Sequence, residues 1–587
     1  MSDSKSAPLQ SQTGVERVLI AIWSQALGVQ SVGNRDNFFD LGGDISLARR
    51  LVEQIRTYLG IEIPSDAIIE NPTVKGLADL LESVGRHALK NAISPDSHKT
   101  EYHASFAQVR LWSLHKLQPG SPAYNLCDVY RLHGRLEREV LAQALLSLVR
   151  RHESLRTIFC EQKGDLLQRV VEPYIESAYE TLEHYYGPEQ EIRLHQLVEA
   201  EGQRSFSLEV GPLCRFLLIA LSSELHVLVL TAHHIITDGW SQQVMISDLS
   251  HFYHAISKGI TPALPKMKLQ YGNFAEWQRE WLSGAEWERQ SIYWKEQLAG
   301  APSVLALPTD RPRGEVEDSS PARIYSFTLG KELSSRLRSL SLANGTTLFM
   351  TLLAGFQILL SRYCWQDDIC IGSPTANRSR KETEDLIGFF VSTLILRSNI
   401  ENNPSFLTFL SRTRDLVLEA LDHADMPFDQ IMNMLRPEHI SESSPFVQVI
   451  FTLQNIPRRS PSDGELIFEH VPVATVTSKF DLGLTLEETT GEWQEITGYF
   501  SFNSQIFGQL AIERMARCYI TLLNAAADDA RCPVFQLKIL GDQERKLVME
   551  EWNQSVAFHS SEASRSSGAH DVAIAANEDI IALLDEP

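Results

Sequence analysis

A chain of 587 residues exceeds what one compact core supports, and a balance of 43% hydrophobic to 22% charged residues suits a folded multidomain protein. A formal charge of -22 with no basic tract argues against a nonspecific hold on nucleic acid, which needs clustered Lys and Arg. The seven cysteines are scattered without CxxC spacing, so neither a metal site nor a redox pair is expected, and reduced thiols follow.

The start, MSDSKSAPLQSQTG, lacks the charged and apolar regions of a signal peptide, and no apolar run reaches the ~18 to 20 residues that span a bilayer. A cytoplasmic protein without membrane contact is the expectation, with residues 1–11 a flexible lead. Apolar residues at helical spacing over 15–27 and 46–58, and a further helix after Pro72, predict a small all-α bundle over residues 12–86. The polar stretch that follows predicts a linker over 87–102.

From Ser105 the texture changes to mixed helices and strands, with strand-like apolar runs at 215–221 and 225–231. The segment 301–323 contains Pro302, Pro308, Pro312 and Pro321 and divides this region into two lobes, about 103–275 and 276–550. Past Trp552 the sequence turns to Ser, Ala and Gly, which predicts a flexible tail over 551–587.

The second of those apolar runs leads into His233, His234, Ile235, Ile236, Thr237, Asp238, Gly239. A histidine at a strand end takes a proton near neutral pH, a carboxylate four residues on fixes a tautomer or holds the turn, and glycine lets backbone approach a substrate carbonyl. By itself an HH pair is more often structural or metal-binding. No further His, Cys or acidic residues at metal spacing stand nearby, which leaves zinc little support.

HHIITDG resembles the HHxxxDG signature of the condensation domains of nonribosomal peptide synthetases. The family's other motifs have counterparts in order: SFAQVRLW (105–112), RHESLRTIF (151–159), YGNFAEWQREWL (271–282), IGFFVSTLILR (387–397) and HADMPFDQI (423–431). Two positions depart from the family pattern: Ser392 stands where asparagine is usual, and an expected aspartate is missing near Phe502 and Asn503.

This resemblance implies a two-lobed α/β domain similar to chloramphenicol acetyltransferase, and with the preceding four-helix bundle an α+β multidomain chain. It implies amide formation, with His234 orienting or deprotonating the acceptor amine. His233 belongs to the same catalytic motif and reads as structural. Asp238 is expected in an internal ion pair, with Arg156 as candidate, because a buried carboxylate needs a partner. The Gly239 N–H is a candidate for stabilising the oxyanion.

DNFFDLGGDISLARRLVEQI (36–55) and ENPTV (70–74) resemble a carrier domain, whose serine bears 4'-phosphopantetheine at a helix start. A helix N-terminus suits the phosphodiester's charge. The family's serine follows GGD or GGH directly, whereas here Ile45 holds that place and Ser46 comes next, a rotation of ~100° on a helix. Two readings follow: Ser46 is modified, or it only caps the helix and the carrier is silent.

The implied partners are a phosphopantetheinyl transferase, an adenylation domain and an acceptor carrier on another chain or further downstream. WNQSVAFHSSE (552–562) resembles the start of a linker to an adenylation domain. Ester formation and a non-catalytic recruitment platform are the alternatives. Trp277 and Trp281 are expected in the core by their helical spacing, and His152 reads as a structural histidine.

Overall fold

The computed structural model describes residues 14–27, 29, 32–41, 47, 51, 55, 67–78, 80–81, 93–95, 99–302, 304–311, 320–378, 380–435, 447–454, 466–471, 477–478, 480–489 and 495–546. The lead, the tail, and Gly42, Gly43, Asp44, Ile45 and Ser46 of the carrier motif lie outside these. The chain divides into two units, Met1–Ser94 and Pro95–Pro587.

In the first unit, helix α1 (Gly14–Leu27) turns Leu19, Ile22 and Trp23 inward at helical spacing. They meet Phe38, Leu51, Ile55, Val74, Leu77 and Leu81, and the short helix α2 (Ala67–Glu70) adds Ala67 and Ile68. Trp23 and Phe38 pack edge to face with ring centroids 5.1 Å apart. The two carrier-like motifs are joined: the Phe38 N–H donates to the Pro72 carbonyl at 2.7 Å, the Lys75 N–H to Asn34, and Asn37 bridges Thr73. Leu47, Leu51 and Ile55, spaced by four, are helical and turn toward this core.

The second unit holds two large sheets. The first has the order β12-β2-β7-β6-β5, made by Asn125–His133 (β2), Glu176–Thr181 (β5), Cys214–Ala220 (β6), Leu225–His233 (β7) and Ile467–Val471 (β12). Strands β6 and β7, the apolar runs of the sequence, lie inside the sheet and are buried on both faces, which is why they read as near-continuous apolar sequence. A three-stranded sheet of Glu101–His103 (β1), Thr157–Gln162 (β3) and Asp165–Val170 (β4) stands apart from it.

Helices α3 (Phe106–Leu117), α4 (Arg138–Arg151) and α6 (Gly239–Ser257) pack their apolar faces into the core around the first sheet, and α5 (Pro188–Gln203) covers a separate apolar cluster on Val129, Ile219 and Val227.

The second large sheet has the order β10-β9-β11-β14-β15-β8-β13. Its strands are Ser320–Thr328 (β8), Asp368–Thr375 (β9), Ser392–Asn399 (β10), Val449–Gln454 (β11), Thr477–Ser478 (β13), Leu482–Glu488 (β14) and Ile496–Asn503 (β15). Helices α7 (Tyr271–Trp281) and α8 (Ala285–Gln297) lead into this half, which continues through α9 (Lys331–Ala343), α10 (Leu348–Cys364), α11 (Phe406–Asp422), α12 (Phe428–Leu435) and α13 (Gln509–Asp528). Its core gathers Phe356, Phe409, Phe451, Phe500 and Tyr519.

The two halves interleave. Strand β12 comes late in the chain yet pairs antiparallel with β2 in the first sheet, and Ile387, Leu466 and Phe468 belong to the first core. Trp277 and Trp281 differ from their expected core position: they stack with centroids 6.0 Å apart, half-buried, with Arg380 4.2 Å over Trp277 and the Trp281 Nε1–H donating to Asp425. No described helix is by itself long and apolar enough to cross a membrane.

Candidate active site

The turn that carries the histidines leaves the middle of the first sheet. Strand β7 lies between β2 and β6, and its last residue is His233. A single 3-10 turn, His234–Ile236, follows, and Asp238 caps α6 by accepting the Ser241 N–H at 2.8 Å. Buried strand, tight turn and capped helix together hold the segment between two rigid elements.

The His234 N–H donates to the Tyr124 carbonyl at 2.8 Å, which pins the backbone. Its ring Nδ1 lies 2.8 Å from the Thr237 carbonyl oxygen. A carbonyl only accepts, so Nδ1 carries the proton and the neutral ring keeps its lone pair on Nε2. His234 is half-buried and meets the Phe389 ring at 4.8 Å between centroids.

His233 has the opposite tautomer, because its Nδ1 accepts the Ile235 N–H at 3.1 Å. It is buried, with Phe206, His115 and Tyr124 rings about it at 6.1, 6.2 and 6.4 Å. Gly239 is the first residue of α6 and is exposed, so its N–H belongs to the helix end that has no intrahelical acceptor.

Asp238 does not pair with Arg156. The Arg156 guanidinium lies 3.7 Å from Glu153 and donates to the Val171 carbonyl, turned away to the end of β4. The partner is Arg378, at 3.2 Å, with side chains only 2% and 3% exposed for Arg378 and Asp238. Arg378 also donates to Ser241 Oγ at 2.7 Å and to the Thr383 and Leu386 carbonyls, and its guanidinium lies 4.0 Å over the Phe390 ring. A buried pair stands only when its polar atoms find partners, and these contacts engage both terminal nitrogens of Arg378, while the Ser241 and Phe390 N–H groups reach the two oxygens of Asp238.

The segment 387–390 crosses from the second half of the chain to this turn and is bonded at each residue. The Ile387 carbonyl accepts Ser154 Oγ–H at 2.6 Å, the Gly388 N–H and carbonyl both meet Ser241 Oγ, the Phe389 carbonyl accepts the Tyr271 hydroxyl at 2.6 Å, and the Phe390 N–H donates to Asp238 at 3.0 Å. A Cβ on Gly388 would lie 1.9 Å from Tyr271 Cδ2, so only glycine fits there. The Tyr271 hydroxyl also meets Ser105 Oγ at 2.9 Å, and burial pushes its proton affinity up.

Ser105 caps α3, and Gln108 of the same capping box donates to the Ile235 carbonyl at 3.1 Å. Five of the six motifs therefore meet at the turn and the crossing segment bonded to it. The sixth ties in from the far side, where Asp429 of α12 meets Arg110 of α3 at 3.1 Å. Burial holds the Asp429 carboxyl above its usual range, with Arg110 opposing.

His152 donates through Nε2 to Asp248 at 2.8 Å inside the first core. Its own burial lowers its proton affinity, against the pull of Asp248. Burial pushes the Asp248 carboxyl up, but His152 and Arg151 outweigh it and hold it below the usual range.

Sequence reasoning missed Arg378, Tyr271 as a hydrogen-bond donor, and Phe389. The only signal was the demand of a buried Asp238 for a cation, and that demand does not choose among the chain's arginines.

The family model of the condensation domain matches residues 98–549, and that of the phosphopantetheine attachment site matches residues 17–81. The chain is 39% identical over 551 residues to one of the linear gramicidin synthase proteins of Brevibacillus parabrevis, covering 93% of this chain and 7% of that protein. It is 36% identical to malpinin synthetase of Mortierella alpina, covering 92% of this chain and 7% of that protein. The chain thus spans a small fraction of the length of these relatives.

Among solved structures, the X-domain from teicoplanin biosynthesis has the same fold with a TM-score of 0.69 at 24% identity, over 76% of this chain and 100% of that one. A holo four-domain nonribosomal peptide synthetase bound to AMP and glycine matches with a TM-score of 0.67 at 20% identity, over 76% of this chain and 34% of that one.

Proposed function

Because the chain belongs to the condensation-domain family of nonribosomal peptide synthetases and carries a phosphopantetheine-binding domain ahead of it, we propose that it joins two thioester-tethered reactants through an amide bond at His234. The observation that carries this reading is the hydrogen bond from Nδ1 to the Thr237 carbonyl, which leaves Nε2 as the basic nitrogen.

In the proposed reaction the acceptor's amine attacks the donor's thioester carbonyl. The new C–N bond forms as the C–S bond breaks, the amine proton passes to His234 Nε2, and the departing thiolate takes up a proton. Charge that gathers on the carbonyl oxygen meets the N-terminal end of α6, where the Gly239 N–H is the candidate donor. Asp238 acts through its contacts to Ser241, Arg378 and Phe390, holding the turn rather than touching the reactants. His233 is a structural residue.

4'-Phosphopantetheine on Ser46 supplies a flexible arm whose thiol holds the donor acyl group. The transferase that installs it, an adenylation domain that loads it and an acceptor carrier are the partners. The domains extend over about 12–86 and 103–550, joined by a linker. All seven cysteines are free thiols, which supports a reducing, cytoplasmic setting.

Two experiments test this. Intact mass after incubation with coenzyme A and a promiscuous phosphopantetheinyl transferase should show one added arm, absent in Ser46→Ala; no addition to the wild type overturns a working carrier. With aminoacyl donors loaded on that arm and a panel of aminoacyl pantetheine thioesters as acceptors, product mass should report amide, and His234→Ala should lower kcat by about 10² or more. Positional catalysis leaves a residue of activity. Wild-type turnover by His234→Ala sinks the role of His234, and turnover of matched alcohols in preference to amines moves the reading to ester formation.

A further inference from the structure

We propose that Phe389 is the positioning residue of His234, so that the second half of the chain sets the orientation of a base that the first half supplies. The inference rests on the proposed role of His234. The Nδ1 hydrogen bond to Thr237 fixes the tautomer and acts at one edge of the imidazole. The Phe389 ring packs against the imidazole itself, with centroids 4.8 Å apart and planes inclined by 60°, and so bears on the direction in which the ring faces.

The Phe389 backbone has little latitude of its own. Its carbonyl is held by Tyr271, the preceding Gly388 by Ser241 through both N–H and carbonyl, and the following Phe390 N–H by Asp238. The neighbouring side chains are committed elsewhere. Gly388 has none, and the Phe390 ring lies under Arg378 at 4.0 Å and against Phe274 and Tyr271 at 4.6 and 4.9 Å. Phe389 is therefore the aromatic residue of this crossing segment that meets the His234 ring, and its half-buried place beside a half-buried histidine puts it at the edge of the site.

The order of support runs from Asp238, through the Phe390 N–H, to Phe389 and then to His234. The motif's carboxylate and its histidine are four residues apart in sequence, yet this path between them passes through a segment some 150 residues later in the chain.

The test compares Phe389→Leu, which keeps apolar bulk without a ring, with Phe389→Tyr, which keeps the ring. In the full chain carrying a loaded donor, Phe389→Leu should lower kcat about 5- to 10-fold while KM for the acceptor stays within about 2-fold, and Phe389→Tyr should return kcat to within about 2-fold of wild type. A 15N spectrum of histidine-labelled protein, with the His234 signals identified by their loss in His234→Ala, should show the Nδ1–H tautomer in all three proteins, with sharp signals in wild type and Phe389→Tyr and signals shifted or broadened by ring motion in Phe389→Leu.

Wild-type kcat and unchanged His234 signals in Phe389→Leu overturn the proposal. So does an equal loss in Leu and Tyr with raised KM, which would make Phe389 a wall of the acceptor pocket. Should His234→Ala keep full activity, the reading of His234 as base fails, while the 15N spectrum still decides whether Phe389 orients the ring.

Discussion

The turn at 231–241 and the crossing segment at 378–390 are built by different means. In the first, three side chains bond the turn's own backbone within a few residues: His233 to Ile235, His234 to Thr237, Asp238 to Ser241. In the second, Arg378, Gly388, Phe389 and Phe390 find partners more than 100 residues earlier in the chain, at Asp238, Ser241, Tyr271 and His234. A local turn can present a chemically competent histidine. Orienting that histidine, and balancing the buried charge beside it, takes a second piece of chain brought in by folding.

Substitutions that strike the crossing segment should therefore cost more than their distance in sequence from the histidine suggests. The largest expected loss is Arg378→Met, which leaves the Asp238 carboxylate buried without its cation: about 3–5 kcal/mol of stability, read from denaturant midpoints at unchanged slope. If Arg378→Met keeps wild-type stability, the pair contributes no net support and the comparison fails at its main point.

Gly388→Ala should come next. The added methyl meets Tyr271 at 1.9 Å, and overpacking of this kind costs about 1–3 kcal/mol. Because the displaced ring carries the hydroxyl that holds Phe389, activity should fall further than stability does. Equal falls would mean that the crossing segment stabilises without orienting anything.

Tyr271→Phe removes only that hydroxyl and leaves the Phe389 carbonyl and Ser105 Oγ without it, for about 1–2 kcal/mol. Thermal unfolding and kcat measured together would show whether this one bond matters more to the site than to the fold.

The smallest effect concerns pH. His152 has a folded-state proton affinity lowered by burial, so the unfolded chain binds a proton more readily than the folded one. Its contribution is present above about pH 6.5, the ordinary histidine value, and is lost as pH falls below that. Stability measured from pH 7.5 down to 5.5 should decline, and His152→Gln should flatten the decline. An unchanged slope in the variant would assign the pH dependence to other groups.

Much of this was legible in the sequence. The apolar runs became β6 and β7 because strands buried on both faces have no polar alternation to disguise them. The turn that carries His234 was legible because HHIITDG follows an apolar strand and resembles the HHxxxDG signature, and the structure places it between β7 and the Asp238-capped helix. The mate of Asp238 was not. Arg156 satisfied the general requirement for a cation, but a requirement of charge carries no address, and the fold turned Arg156 toward Glu153 and Val171.

The aromatic stripe of Trp277 and Trp281 shows the same limit. Helical spacing marks a face, and whether that face enters the core or borders a cleft depends on what packs against it, here Arg380 and Asp425.

By itself the sequence determined the carrier and condensation regions, through motifs that resemble those families, and the secondary elements that carry the motifs, because these rest on periodicity and local capping. Only the tertiary structure decided that β12 returns to the first sheet, that Arg378 balances Asp238, and that Phe389 meets His234, because burial, charge pairing and ring contact depend on distances between residues that the chain order leaves unconstrained.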